Sequence, residues 1–221
     1  LIFMLTFAGV PAHAGVCASK LTDQNFNKEG YQVLAIPPAL TPEEAKTLHQ
    51  KLIELKGHTA KHYAAAIQMS IFERVYSSQV EKSSDTFEIP EMAKLIAWTE
   101  DVRIHIVDVL TKENPEIQLD SIDLFVSSKN FPDVGLKPHA DTTYARLLTT
   151  LLGPTTLIFD GDQTLSPEIL DSLIITGRFR TETTNVPATA HASPTDRYVD
   201  RLFIRFTFNL KNRNGRNKPN V

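Results

Sequence analysis

The chain has 221 residues, 42% of them hydrophobic, and a formal net charge of −3 from 23 basic and 26 acidic side chains. That length fits one well-buried core and is short for two full domains. The charge balance gives no positive field to attract nucleic acid, and the basic tail of Lys211, Arg213, Arg216 and Lys218 reads as a solvated terminus.

Residues 1–14 open with an apolar run and reach Ala12-His13-Ala14, the small-x-small pattern of a secretory signal peptide cut after Ala14. Export to a periplasmic or extracellular destination is therefore expected, with residues 15–221 as a single domain. The alternative is a cytoplasmic protein in which this run is a buried first strand or helix. It is far below the ~20 residues needed to cross a bilayer, so no stable membrane insertion is expected. Cys17 is the sole cysteine, which excludes an internal disulfide.

YQVLAI, residues 31 to 36, is short, apolar and ended by Pro37-Pro38, as a strand would be. In LTPEEAKTLHQKLIEL, Thr41 can cap a helix, Pro42 takes its first position and Glu44 completes a capping box. Ala45, Leu48, Leu52 and Leu55 recur at helical spacing, and His49 among polar neighbours reads as exposed. Residues 59–76 and 90–112 read as two further helices, the second stopped by Glu113-Asn114-Pro115. Short strand-like runs follow at 121–127, 145–152, 155–159, 171–176 and 201–210. The stretches 77–86 and 178–190 read as loops. Helices first and strands later argue for an α+β domain, its helices buttressing an antiparallel sheet or jelly roll.

His139 and Asp141 stand two apart, so on an extended segment they share a face and can approach one metal together. His191, fifty residues beyond Asp141, offers a third ligand. Two histidines and a carboxylate that leave open positions are the arrangement of non-haem Fe(II) enzymes, whereas a structural zinc site would be cysteine-rich. In RLFIRFTFNL, Arg201 and Arg205 share one face of a strand about 13 Å apart. A dicarboxylate cosubstrate could satisfy one guanidinium; a protein carboxylate is the alternative partner, above all for Arg205.

His-x-Asp, a distal histidine and an arginine ten residues after it together resemble the Fe(II)/2-oxoglutarate-dependent dioxygenases, in particular their prolyl-4-hydroxylase-like branch. NKEGYQVLAIPPALTPEEAKTLHQKLIEL, LFVSSKNFPDVGLKPHAD and GPTTLIF are similar to segments of that family, so the likeness spans residues 25 to 210. It departs from the family before His191, where the usual Pro-x-x-Gly turn is missing. The resemblance implies a double-stranded β-helix, a distorted jelly roll with the N-terminal and central helices along one sheet. It implies iron ligation by His139, Asp141 and His191. It also implies that Arg201 binds the distal carboxylate of 2-oxoglutarate with help from Thr149, while Arg205, in an Arg-x-Thr pattern with Thr207, is the second candidate. The implied activity is hydroxylation of a C–H bond of a small-molecule or peptide substrate, with succinate and carbon dioxide as coproducts. A cupin-like jelly roll that binds a metal or ligand without turnover is the alternative. Substrate identity and oligomeric state are not legible.

Overall fold

The computed structural model describes residues 29–34, 36–57, 67–69, 89–128, 137–194 and 199–211. The expected leader over residues 1–14, Cys17, the loop expected at 77–86 and the tail beyond Lys211 lie outside them. Strand β1 is Tyr31–Leu34 and helix α1 is Pro42–Gly57. The capping box forms as read: the Thr41 amide donates to Glu44 Oε2 at 2.8 Å, and the Glu44 amide to Thr41 Oγ1 at 3.3 Å. Strand β2 is Ile67–Met69, which corrects the helix expected across 59–76 at these positions. Helix propensity in the alanine-rich stretch yields there to pairing with the edge of a sheet.

Helix α2, Pro90–Glu113, begins with proline in its first turn and ends at Asn114, whose amide donates to the Leu110 carbonyl. Strands β3 (Ile117–Ser127), β4 (Ala145–Leu152), β5 (Leu157–Asp160), β6 (Gln163–Leu165) and β7 (Ser172–Thr176) follow. Helix α3 is Arg178–Thr184, then come β8 (Ala190–Ala192) and β9 (Arg201–Leu210). Six strands form an antiparallel sheet in the order β1-β7-β4-β9-β3-β2, and three form a smaller one, β6-β5-β8. The architecture is thus α+β with antiparallel sheets.

Strand periodicity assigns the two faces of the large sheet. Leu202, Ile204, Phe206 and Phe208 of β9 pack with Leu147, Ile174 and the apolar stripes of α1 and α2, including Leu48, Leu52, Met92, Leu95 and Val102. Full burial of each such side chain is worth roughly 1.5–3 kcal/mol. Phe203, Leu148, Leu173 and Ile175 belong to the opposite face, where they meet Ile158 of the small sheet. That second core, between the sheets, is where the polar residues of interest also project.

His49 departs from expectation: it is 4% exposed, and its Nε2 lies 2.7 Å from the Ser127 carbonyl. Packing of α1 on the sheet buries that edge of the helix, and the one polar contact makes burial tolerable. Helix α3, inside a stretch read as loop, is held from outside itself. Arg180 is fully buried and donates to both Glu113 oxygens, at 2.8 and 3.0 Å, and to Thr176 Oγ1 at 2.9 Å.

Candidate metal centre

The segment before β4 and the short strand β8 come together through one residue pair. The His139 amide donates to the His191 carbonyl at 3.0 Å, and the His191 amide to the His139 carbonyl at 2.9 Å. This exchange of both bonds is the close hydrogen-bonded pair of an antiparallel ladder, which puts the two side chains on one face. Their rings accordingly stand 4.6 Å apart between centroids. Asp141 follows two residues after His139. The loop carrying it is strapped to the start of α3: Arg178, Phe179 and Gly177 amides donate to the carbonyls of Asp141, Thr143 and Tyr144 at 2.8, 3.1 and 2.9 Å.

His139, Asp141 and His191 each offer a donor atom, and these atoms lie within 4.8 Å of one another. His191 Nε2 is 3.2 Å from Asp141 Oδ2, and His139 Nε2 is 3.5 Å from Oδ1. Asp141 and His191 are buried, while His139 is one-third exposed. On the far side of each ring, Nδ1 faces a backbone carbonyl, that of Lys137 at 3.0 Å and that of Thr189 at 3.2 Å. A carbonyl only accepts, so Nδ1–H is the donor at the back of each ring, and Nε2 is the nitrogen of each that faces the carboxylate. Asp141 Oδ2 is buried and without a hydrogen-bond donor, an orphan that a metal would satisfy. The donor set therefore fits a divalent transition metal, with carbonyls holding the back of each imidazole as metal-ligating histidines require.

Burial by itself pushes the Asp141 carboxyl pKa up; His191 beside it and the Arg146 charge outweigh that, so it ends below the ordinary carboxylate value. The carboxyl is thus charged at neutral pH, the form a metal would need. Arg146 of β4, whose Nη1 stands 2.8 Å from Asp141 Oδ1, is a site residue that sequence reasoning missed. Its signal is a lone guanidinium in the otherwise uncharged strand ARLLTTLL.

The arginines of β9 have different surroundings. Arg205 donates through Nε and Nη2 to Asp123 Oδ2, at 3.1 and 2.7 Å, and lies over the Phe125 ring. Asp123 is 1% exposed, so this is the protein-carboxylate alternative realised. Arg201, 1% exposed, donates from Nη2 to Thr156 Oγ1 at 3.1 Å and lies over the Phe203 ring at 4.1 Å. Thr156 immediately precedes β5, in which Ile158 is the partner of His191. Thr149 is elsewhere: its pairing partner is Ile204, which faces the helices, and its hydroxyl bonds Ser172 Oγ at 2.7 Å. The expected grouping of Thr149 with Arg201 is therefore not formed; the threonine beside Arg201 is Thr156.

No protein-family model matches the chain, nor does any curated protein sequence. Solved structures do. A Shewanella oneidensis protein described as a candidate oxygenase matches at TM-score 0.56 and 14% identity, over 90% of this chain and 88% of its own. JOX2, crystallised with 2OG, Fe and JA, matches at TM-score 0.51 and 11% identity, over 88% of this chain and 71% of its own. A dioxygenase for auxin oxidation from rice gives TM-score 0.50 and 13% identity, over 86% of this chain and 76% of its own. At such identities the likeness is one of fold: this chain has the fold of 2-oxoglutarate- and iron-binding oxygenases.

Proposed function

We propose that the protein is a Fe(II)- and 2-oxoglutarate-dependent oxygenase of the prolyl-4-hydroxylase-like branch, built on a double-stranded β-helix, which hydroxylates a C–H bond of a small-molecule or peptide substrate. The observation that carries the reading is the convergence of His139 and His191 Nε2 on the buried Asp141 carboxylate. The shared fold supports it. Bound there, iron with 2-oxoglutarate supplies oxidising power: dioxygen, 2-oxoglutarate and a C–H bond give carbon dioxide, succinate and an alcohol, one oxygen atom entering each of the last two.

The chain's own residues bind and orient. His139, Asp141 and His191 would hold the metal from one side and leave its other positions for ligands. With Arg205 held by Asp123, Arg201 would take the distal carboxylate. Its neighbour Thr156 is two residues, about 7 Å of strand, from the partner of His191. Thr156 takes the supporting part expected of Thr149. Phe203, Leu148 and Ile158 line the space between the sheets and exclude water from it. Export through residues 1–14, with residues 15–221 as one domain, stands as a companion proposal, read out by the N-terminal sequence of the mature protein.

The test is incubation with Fe(II), 2-oxoglutarate and oxygen. Succinate formation that depends on oxygen and is lost in Asp141→Ala supports the oxygenase. Metal binding without succinate, across candidate substrates, supports a cupin-like binder in its place.

A further inference from the structure

Arg146 sits on the inner face of β4, opposite Thr207 of β9 and among Arg205 and Asp123. Its Nη1 holds Asp141 Oδ1 at 2.8 Å, while Oδ2 has no hydrogen-bond donor and faces His191 Nε2. The two oxygens of one carboxylate are therefore in unequal positions. A carboxylate free to turn can bind a metal through both oxygens and fill an extra coordination position. One oxygen tied to a guanidinium leaves a single oxygen for the metal. We infer that Arg146 is a positioning residue that fixes Asp141 as a one-oxygen ligand, keeping open the coordination positions that a chelating 2-oxo acid and dioxygen need. The inference rests on the metal-site reading above and deepens it.

The geometry favours orientation over a general charge effect. Arg146 Nε is buried without a hydrogen-bond partner, so no carboxylate is gripped side-on through Nε in a forked pair. Its contact with Asp141 is from Nη1 to Oδ1, at 2.8 Å. As a bare charge Arg146 would repel a divalent cation, and its removal would tighten metal binding; as an orienting donor its removal weakens binding, as with other outer partners of metal ligands.

The test uses Co(II) alone as probe, because its visible absorption reports coordination number, with affinity measured by competition against a chromophoric chelator. Arg146→Ala is expected to change the Co(II) spectrum and to weaken binding about tenfold or more. Arg146→Lys, which keeps an N–H donor at similar reach, should retain the wild-type spectrum. Thermal unfolding of the metal-free proteins reports whether each variant folds; if the alanine variant does not, Arg146→Gln, too short to reach Oδ1, takes its place with the same expectation. An unchanged spectrum, or an affinity equal to or above wild type, overturns the inference. If wild-type protein does not bind Co(II), or Asp141→Asn binds it equally well, the metal site itself falls and this role with it.

Discussion

Two arginines four residues apart on β9 have different surroundings, and the difference is testable. Arg205 neutralises Asp123, a carboxylate with almost no solvent contact. Removing one partner of such a pair strands the other, at a cost of about 3–5 kcal/mol. Arg205→Ala should therefore lower the unfolding free energy by that order in chemical denaturation. Arg201→Ala should instead raise the 2-oxoglutarate concentration needed for half-maximal turnover tenfold or more, equivalent to at least ~1.4 kcal/mol, with Fe(II) affinity nearly unchanged. Should Arg205→Ala give the cosubstrate phenotype and Arg201→Ala none, the assignment moves to Arg205. The sequence already holds both arginines and the choice between a protein and a cosubstrate carboxylate. What the sequence does not show is the cross-strand pairing that gives Arg205 a protein carboxylate, Asp123.

At the level of elements, the centre depends on how α3 grips the loop before β4. A Cβ on Gly177 would fall 2.1 Å from the Thr143 carbonyl oxygen, backbone that can yield only by moving the loop. Gly177→Ala should displace Asp141 and weaken Fe(II) binding more than tenfold, as read by competition with a chelator. A wild-type affinity would show that the strap does not set the ligand. The other well-marked element is the start of α1. Lys94, then the Thr41 amide, hold the Glu44 carboxyl down to about 2. A depressed carboxylate stabilises the fold above its unfolded value of about 4.3 and loses that contribution as pH falls through the folded value. Between about pH 4.3 and 2 the wild-type melting temperature should thus fall more steeply than that of Glu44→Gln; parallel curves would show that the contact is not maintained in solution. The effect should be small, since such surface pairs are weak. This cap, β4, β9 and α2 are legible because each carries its own signal: a capping box, a short leucine-rich run, alternation, or apolar helical spacing ended by Asn114-Pro115. Strand β2 and helix α3 are not. The first exists through its pairing with β3, and the second through Arg180 reaching Glu113 on another helix. The burial of His49 is hidden for the same reason, since it comes from the sheet beneath α1 and not from its neighbours in sequence.

For the molecule as a whole, one sheet buries its outer face under two helices and turns its inner face, with Arg146, Arg201 and Phe203, toward a second, smaller sheet that carries His191. Residues 139, 141 and 191 can therefore meet although fifty positions separate the last two. Their spacing hints at this meeting, and the pairing of His139 with His191 accomplishes it. In the proposed function the three form one iron site that 2-oxoglutarate joins. Its most direct measurement is an anaerobic calorimetric titration of the full chain with Fe(II), then with 2-oxoglutarate, for wild type and Asp141→Ala. One Fe(II) per wild-type chain is expected, with 2-oxoglutarate binding only once that metal is present and loss of both in the variant. Fe(II) binding unaffected by Asp141→Ala, or 2-oxoglutarate binding that needs no metal, would contradict it.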